Sequence, residues 1–303
     1  YEFGFDKLDR WIDMCRRCGI KYFEMSHLFT QWGAEHAPKI VAEVDGEKKR
    51  IFGWETDADS EEYRDFLHRF AAALTAFIDR KGIRNFCRFH VSDEPSLEQY
   101  EVYKKRADLI EEIFPGFKVI DALSDIEFFD KGAVKYPIPS EDHVEDFVGK
   151  VDEFWTYYCC GQHNKNVPNR FFAMPSARNR ILGTLLYKYN ATGFLQWGYN
   201  YWYSQFSKHE IDPFTVTDAG KAFPSGDAFV VYPGEDGQPI NSLRFKVFYD
   251  GLQDLAAMRL LESLVGREIV VQDDELTFQK YPHGSSYLLA LRGRVNKAIK
   301  ENI

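Results

Sequence analysis

The sequence predicts an α/β fold of the (β/α)8 barrel type, and three observations point that way. Helix-periodic segments alternate with short apolar runs from end to end without a Greek-key rhythm, the pattern of a mainly parallel sheet with helices outside. No strand is followed by G-x-G-x-x-G or a P-loop, the usual marks of a nucleotide-binding doubly wound sheet, which is the competing closure. Polar and aromatic residues instead gather just past strand ends: His27, Asp93-Glu94, Tyr157-Tyr158, Trp197 to Tyr199 and Tyr232. In a barrel those ends share one face, where active sites sit. About seven strands are legible, so the first of eight is expected upstream of Tyr1.

The elements follow in order. Phe5, Leu8, Ile12 and Cys15 repeat at helical spacing behind Asp6 as a cap, and Gly19 stops that helix. Residues 20–25 form an apolar run ending in Ser26-His27. Asp45-Gly46 sits between short apolar stretches of 39–54 and predicts a hairpin. Asp59 and Ser60 offer caps to a helix with the stripe Phe66, Leu67, Phe70, Leu74, Phe77 and Ile78, closed by Lys81-Gly82. A strand over 85–91 leads to Ser92-Asp93-Glu94-Pro95, and Ser96 with Gln99 forms a capping box for a helix ending at Pro115-Gly116. Strands follow at 117–122, 153–158 and 193–197, with a helix over 177–189 and a mixed stretch at 124–150 that Pro137 and Pro139 mark as loop. The last strand is expected at 229–232, leading through Pro233-Gly234 into a long helix over 243–265. Residues 1–265 read as the barrel and 266–303 as a small C-terminal extension packed on it, ending in a polar, basic helix.

Composition narrows the function. At 303 residues the chain can bury a large core, as single α/β barrels do. Thirty-eight Lys and Arg against 47 Asp and Glu leave a charge of −9 with no basic block, which argues against nucleic acid or an anionic membrane as the main partner. No apolar run approaches the ~20 residues of a membrane span. Five cysteines, two adjacent, do not make a disulfide framework. Tyr1 opens the chain without Met or a leader pattern, as if in mid-protein, so no targeting signal is visible.

The sharpest local feature is Phe89-His90-Val91-Ser92-Asp93-Glu94-Pro95, where two adjacent carboxylates end an apolar strand. Regular pleating would send them to opposite faces, but at a strand end, turning under Pro95, both can reach one pocket. Neighbouring carboxylates oppose each other's ionisation, so one is expected to stay protonated as a general acid. Both acids would also suit the positive end of the following helix, and position alone does not separate the two readings. The second feature is 193–203, whose last seven residues hold five aromatics. Trp and Tyr suit sugars, which present C–H faces and hydroxyl rims, although a loop folded on its own aromatics looks the same in sequence. The third, Trp155 to Gly161, is a strand in which Trp155 reads as core and Tyr157 or Tyr158 as reaching the pocket.

Cys15-x-x-Cys18 with Cys159-Cys160 supplies four thiols for zinc in principle. But Cys15 fits its helix's apolar stripe and no His stands at ligand spacing, so neither metal nor cofactor is expected. No G-x-S-x-G elbow occurs, which argues against a serine hydrolase.

Taken in order, HVSDEP (90–95), TYYCCG (156–161), GFLQWGYNYW (193–202), DPF (212–214), GDAFVVYPG (226–234) and LRFKVFYDGLQDL (243–255) resemble the catalytic domain of glycoside hydrolase family 123. Each motif alone is weak; six in order across 5–265 are specific. The resemblance implies a (β/α)8 barrel, usually behind an N-terminal β-sandwich, and a β-N-acetylgalactosaminidase whose substrate's own 2-acetamido group assists retaining hydrolysis. It implies Glu94 as the acid/base and Asp93 as the residue that orients the acetamido group. Trp197, Tyr199 and Trp202 would shape the sugar subsite, with Tyr157 or Tyr158 near the acetamido group and His27 and His90 as further sugar contacts. The partner would be a glycan ending in N-acetylhexosamine. Such proteins are largely bacterial and commonly exported, which leans the expectation to an extracytoplasmic place. Two other readings stand beside this one: a carbohydrate-binding barrel without turnover, and a barrel glycosidase of different sugar specificity.

Overall fold

The computed structural model describes residues 1–267, 270–271 and 276–303, and the chain divides into two compact units, Tyr1–Ile138 and Pro139–Ile303. It is a mixed α/β structure with parallel sheet.

The first unit opens with α1 (Asp6–Arg17), which buries Ile12 and Cys15. Asp6 is not its cap: Phe5 holds that place, and Asp6 and Asp9 lie in the first turn, where their charges meet the helix's positive end. β1 (Phe23–Glu24) is shorter than the apolar run that predicts it, because Ile20 and Tyr22 stay exposed. β2 (Ile40–Val44) and β3 (Glu47–Phe52) form the expected hairpin. Asp45 and Gly46 both take positive φ, 55° and 79°, as a two-residue I′ turn requires. In α2 (Glu61–Lys81) Ser60 stands at the N-cap but makes no capping bond, and Asp59 instead binds Arg106 through two hydrogen bonds of 2.7 and 3.0 Å. Gly82, at φ 65°, ends it in the left-handed cap.

β4 (Cys87–Phe89), α3 (Tyr100–Ile113), β5 (Lys118–Ala122), the single turn α4 (Glu127–Asp130) and β6 (Tyr136–Ile138) complete this unit. The Ser96–Gln99 capping box forms as expected, at the turn leading into α3. The sheet order is β1-β4-β5-β6 with every pair parallel. β6 falls where Pro137 predicts loop; a strand at the edge of a ladder accepts a residue without an N–H. His27, the Asp93-Glu94 pair and Asp121 therefore all belong to the carboxyl ends of one parallel sheet.

In the second unit β7 (Trp155–Tyr157) pairs in parallel with β8 (Gly193–Leu195), and Ser140 bridges Tyr157 in the same sense. The helix expected over 177–189 is two, α5 (Ser176–Arg180) and α6 (Leu182–Lys188), broken at Ile181. The strand expected at 229–232 is corrected as well. It is β9 (Val231–Pro233), antiparallel to β10 (Pro239–Asn241), because a tight turn at Gly234–Gly237 folds the chain straight back. α7 (Leu243–Val265) lies so close to α6 that a Cβ on Gly183 would stand 1.8 Å from the Gly251 carbonyl oxygen. α8 (Ser285–Asn302) adds Leu291 and Val295 to a core shared with Tyr187, Ala257, Met258, Leu261 and Val270. Buried Asp254 ties these helices together through Arg180 (2.7 and 3.0 Å) and Arg292 (2.8 Å). Within the expected extension 266–303, residues 268–269 and 272–275 lie outside the described residues. Among the described residues no helix is long and apolar enough to cross a membrane.

Candidate active site

The acid pair rides on a turn that the neighbouring strand holds. Asp121, fully buried on β5, accepts the Val91 amide with both carboxylate oxygens at 3.1 Å and the Ser92 amide at 3.3 Å. The Tyr103 hydroxyl donates to the same carboxylate. Ser92 Oγ donates to the Thr30 carbonyl at 3.1 Å, and the Glu94 amide donates to the Ala122 carbonyl at 2.8 Å. Glu94 itself takes φ 48°, a left-handed conformation that costs a residue with a side chain on the order of 1 kcal/mol or more. That kink ends the pleat, so strand alternation no longer dictates opposite directions for the two acids. Asp93 comes out half-buried and Glu94 exposed.

The electrostatics separate the pair further. Burial pushes Asp93 up to about 7, and the charges of Glu94 and Asp121 add to the effect while His90 opposes it. The fold thus holds Asp93 towards its neutral form, which the adjacent pair does not reveal in sequence. His90 lies between two carboxylates, with Nε2 2.7 Å from Glu24 Oε1 and Nδ1 3.5 Å from Asp121 Oδ1. Burial works against its charge, but pairing with Asp121 and Glu24 outweighs burial and raises it to about 9. The same contact holds Glu24 below the usual carboxylate range against its own burial. His27 stacks on His90 at 4.5 Å with ring planes 9° apart, and burial together with the His90 charge pushes it down.

Glu24, His27 and His90 place donor atoms within 4.8 Å of one another, the spacing of a metal cluster. The set does not fit one in this arrangement. Imidazole binds a metal in its ring plane, and two parallel rings one stack apart cannot both aim a lone pair at a single ion. Among the described residues the five cysteines are free thiols; Cys15 is buried and Cys18 exposed on α1 or just past it.

These features meet a family. The model of the glycoside hydrolase 123 catalytic domain matches residues 1–261. The chain belongs to glycoside hydrolase family 123. Among solved structures, a family 123 glycoside hydrolase from Clostridium perfringens, analysed for the details of glycolipid glycan hydrolysis, has the same fold with a TM-score of 0.67 at 16% identity. The match covers 99% of this chain and 55% of that one, so this chain spans little more than half of that protein's length. Among curated proteins none matches.

In this family 123 chain the aromatic run belongs to the second unit. Trp197 is 42% exposed, and its Nε1 donates to Asp227 Oδ2 at 3.0 Å. Asp227 is fully buried, and burial pushes it up to about 6. Tyr201 and Phe223 meet the Trp197 ring edge-on at 5.2 and 5.1 Å. Tyr199 is exposed, whereas Trp202 is half-buried with Nε1 donating to the Val231 carbonyl at 3.0 Å. Tyr157 and Tyr158 are both buried; the Tyr158 ring meets Phe194 edge-on at 4.9 Å, and burial holds its hydroxyl far above the usual range. The run therefore divides into rings offered to solvent and rings tied inward.

Sequence reasoning passed over two acids that orient these side chains, Asp121 and Asp227. Each left a trace, an acid inside the apolar run Lys118–Ala122 and another beside Gly226.

Proposed function

We propose that this chain is a retaining exo-glycosidase that releases terminal β-linked N-acetylgalactosamine, with the substrate's 2-acetamido group as the internal nucleophile. The observation that carries this reading is the geometry of the pair: half-buried Asp93 and exposed Glu94 side by side on one turn clamped by Asp121, with Asp93 taking up its ionised role above about pH 7. Ordinary glycosidases set two carboxylates about 5 Å or more apart across the ring. Neighbours on one turn suit a mechanism that needs no protein nucleophile.

In the first step the acetamido oxygen attacks the anomeric carbon while Glu94 gives its proton to the departing glycosidic oxygen. Ionised Asp93 accepts the acetamido N–H and offsets the positive charge of the oxazolinium. Water then attacks the anomeric carbon and gives its proton to the Glu94 carboxylate as the oxazolinium C–O bond breaks and the acetamido group is restored, so configuration is retained. Trp197 and Tyr199, whose rings are open to solvent, and His27 are assigned to the sugar. The expectation that Trp202, Tyr157, Tyr158 and His90 also touch it is corrected to a supporting role, because their rings are tied inward or buried. A (β/α)8 barrel over residues 1–265 with 266–303 as its extension belongs to the same proposal. The Clostridium neighbour makes glycolipid glycans a natural first substrate pool to try.

The test is a panel of p-nitrophenyl glycosides with Glu94→Gln beside the native enzyme. Native turnover is expected for 2-acetamido glycosides only, the galacto sugar leading. Glu94→Gln should lose most activity on alkyl or sugar leaving groups and least on p-nitrophenol, which needs little protonation. Equal cleavage of 2-acetamido and 2-hydroxyl glycosides would refute internal assistance. Tight sugar binding without turnover of any glycoside would make the chain a binding barrel instead.

A further inference from the structure

Beside the acid pair runs a loop whose backbone is held in an unfavourable shape. Three consecutive residues take positive φ: Trp32 at 58°, Gly33 at 115° and Ala34 at 59°. Two of them carry side chains where glycine is the low-cost residue. Gly33 suits its place because φ 115° is a conformation side chains rarely adopt, and a Cβ there would also push on the Gln99 side chain that holds Trp32.

The bonds that hold this shape come from the catalytic turn and the helix after it. Ser92 Oγ donates to the Thr30 carbonyl at 3.1 Å, and the Trp32 amide donates to the Asp93 carbonyl at 3.0 Å. The Gln99 side-chain amide donates to the Trp32 carbonyl, and Arg106 Nε donates to the Ala34 carbonyl at 3.1 Å. The loop is thus pinned around Trp32 by residues on both sides of the acid pair.

Yet packing does not account for the residue it holds. Ala34 is fully buried, but Trp32 is 51% exposed. An open indole forgoes much of the stabilisation that burial would give, and its backbone strain adds to that cost. Backbone strain held by surrounding structure clusters at ligand sites.

We propose that Trp32 is the platform of the leaving-group subsite, stacking on the pyranose from which the terminal N-acetylhexosamine is cleaved. This rests on the reading of Asp93 and Glu94 as the acid pair. The general acid protonates the glycosidic oxygen, so the departing sugar lies on the side of Glu94, and the Trp32 amide stands one hydrogen bond from the residue before it. A flat indole face matches the C–H face of a pyranose.

The experiment compares Trp32→Ala and Trp32→Phe with the native enzyme on two substrates of the same terminal sugar: a disaccharide with a galactose leaving group, and the glycosyl fluoride, which has no leaving sugar. Melting temperatures and inhibition by a galacto-configured thiazoline, which fills only the terminal-sugar subsite, accompany them. In Trp32→Ala the disaccharide's KM should rise about tenfold, with fluoride turnover and thiazoline inhibition within about twofold of native, and Trp32→Phe should recover part of the loss. Equal losses on disaccharide and fluoride would mark Trp32 as merely structural, and no loss on either would remove it from the site; both overturn the subsite. If Glu94→Gln is inactive on the disaccharide while Trp32→Ala matches native, the acid pair stands and only the subsite falls. If the native enzyme cleaves neither substrate, the acid-pair reading fails and the subsite with it.

Discussion

Asp93→Asn should make the protein more stable and nearly inactive, with a gain that depends on pH. The native fold raises this carboxyl from 3.8 to about 7, chiefly through burial. Below pH 4 the folded and unfolded chains both carry the neutral acid, and the group adds no cost. As pH rises from about 4 to 7 the unfolded chain loses the proton while the native state keeps it, so stability falls; above 7 both are ionised and the full cost remains. At about 1.4 kcal/mol per pH unit the cost would reach ~4 kcal/mol. Asp93 is only half-buried, and solvent screening reduces that to about 2 kcal/mol. Asparagine keeps the shape and removes the charge. Urea denaturation at pH 8 should show the variant about 2 kcal/mol more stable than native, with the difference shrinking towards zero by pH 4. In the native enzyme kcat/KM should fall as pH drops through about 7, because a protonated Asp93 carries no charge to offset the proposed oxazolinium. The variant should lose about 100-fold or more in kcat for every 2-acetamido substrate whatever its leaving group. A variant no more stable than native at pH 8, or a gain equal at pH 4 and pH 8, would refute the burial argument.

Removing the clamp should act at a distance: Asp121→Asn turns an acceptor of two backbone amides into a group with its own N–H, at a cost of about 2 kcal/mol in stability. The displaced turn should lower kcat about 100-fold with little change in KM, and hydrogen exchange should quicken at the Val91 and Ser92 amides. In the second unit Trp197→Ala should raise KM about tenfold if the exposed ring stacks on sugar. Asp227→Leu should approach that effect by freeing the indole N–H, and Asp227→Asn, which keeps an acceptor, should stay near native in the same KM assay.

What the sequence alone determined is what neighbours within a few residues decide. Asp45-Gly46 makes its hairpin because both residues tolerate positive φ, Lys81-Gly82 ends a helix for the same reason, and the Ser96–Gln99 box closes within one turn. The acid pair at a strand end was legible too, since an apolar run followed by charge is a local pattern, and six short motifs in order pointed to the family. Tertiary structure decided the rest. Pro137 reads as loop until an edge place in the ladder makes its missing N–H harmless. The chain past 229 reads as another parallel strand until its hairpin forms with 239–241. Asp121 looks like any acid in a strand, because the amides it holds lie 29 and 30 residues earlier. Trp32 is one tryptophan among six until the turn that carries Asp93 and Glu94 pins its backbone. How far Asp93 resists ionisation depends on how much water and charge the fold leaves around it, and residue order does not encode that locally.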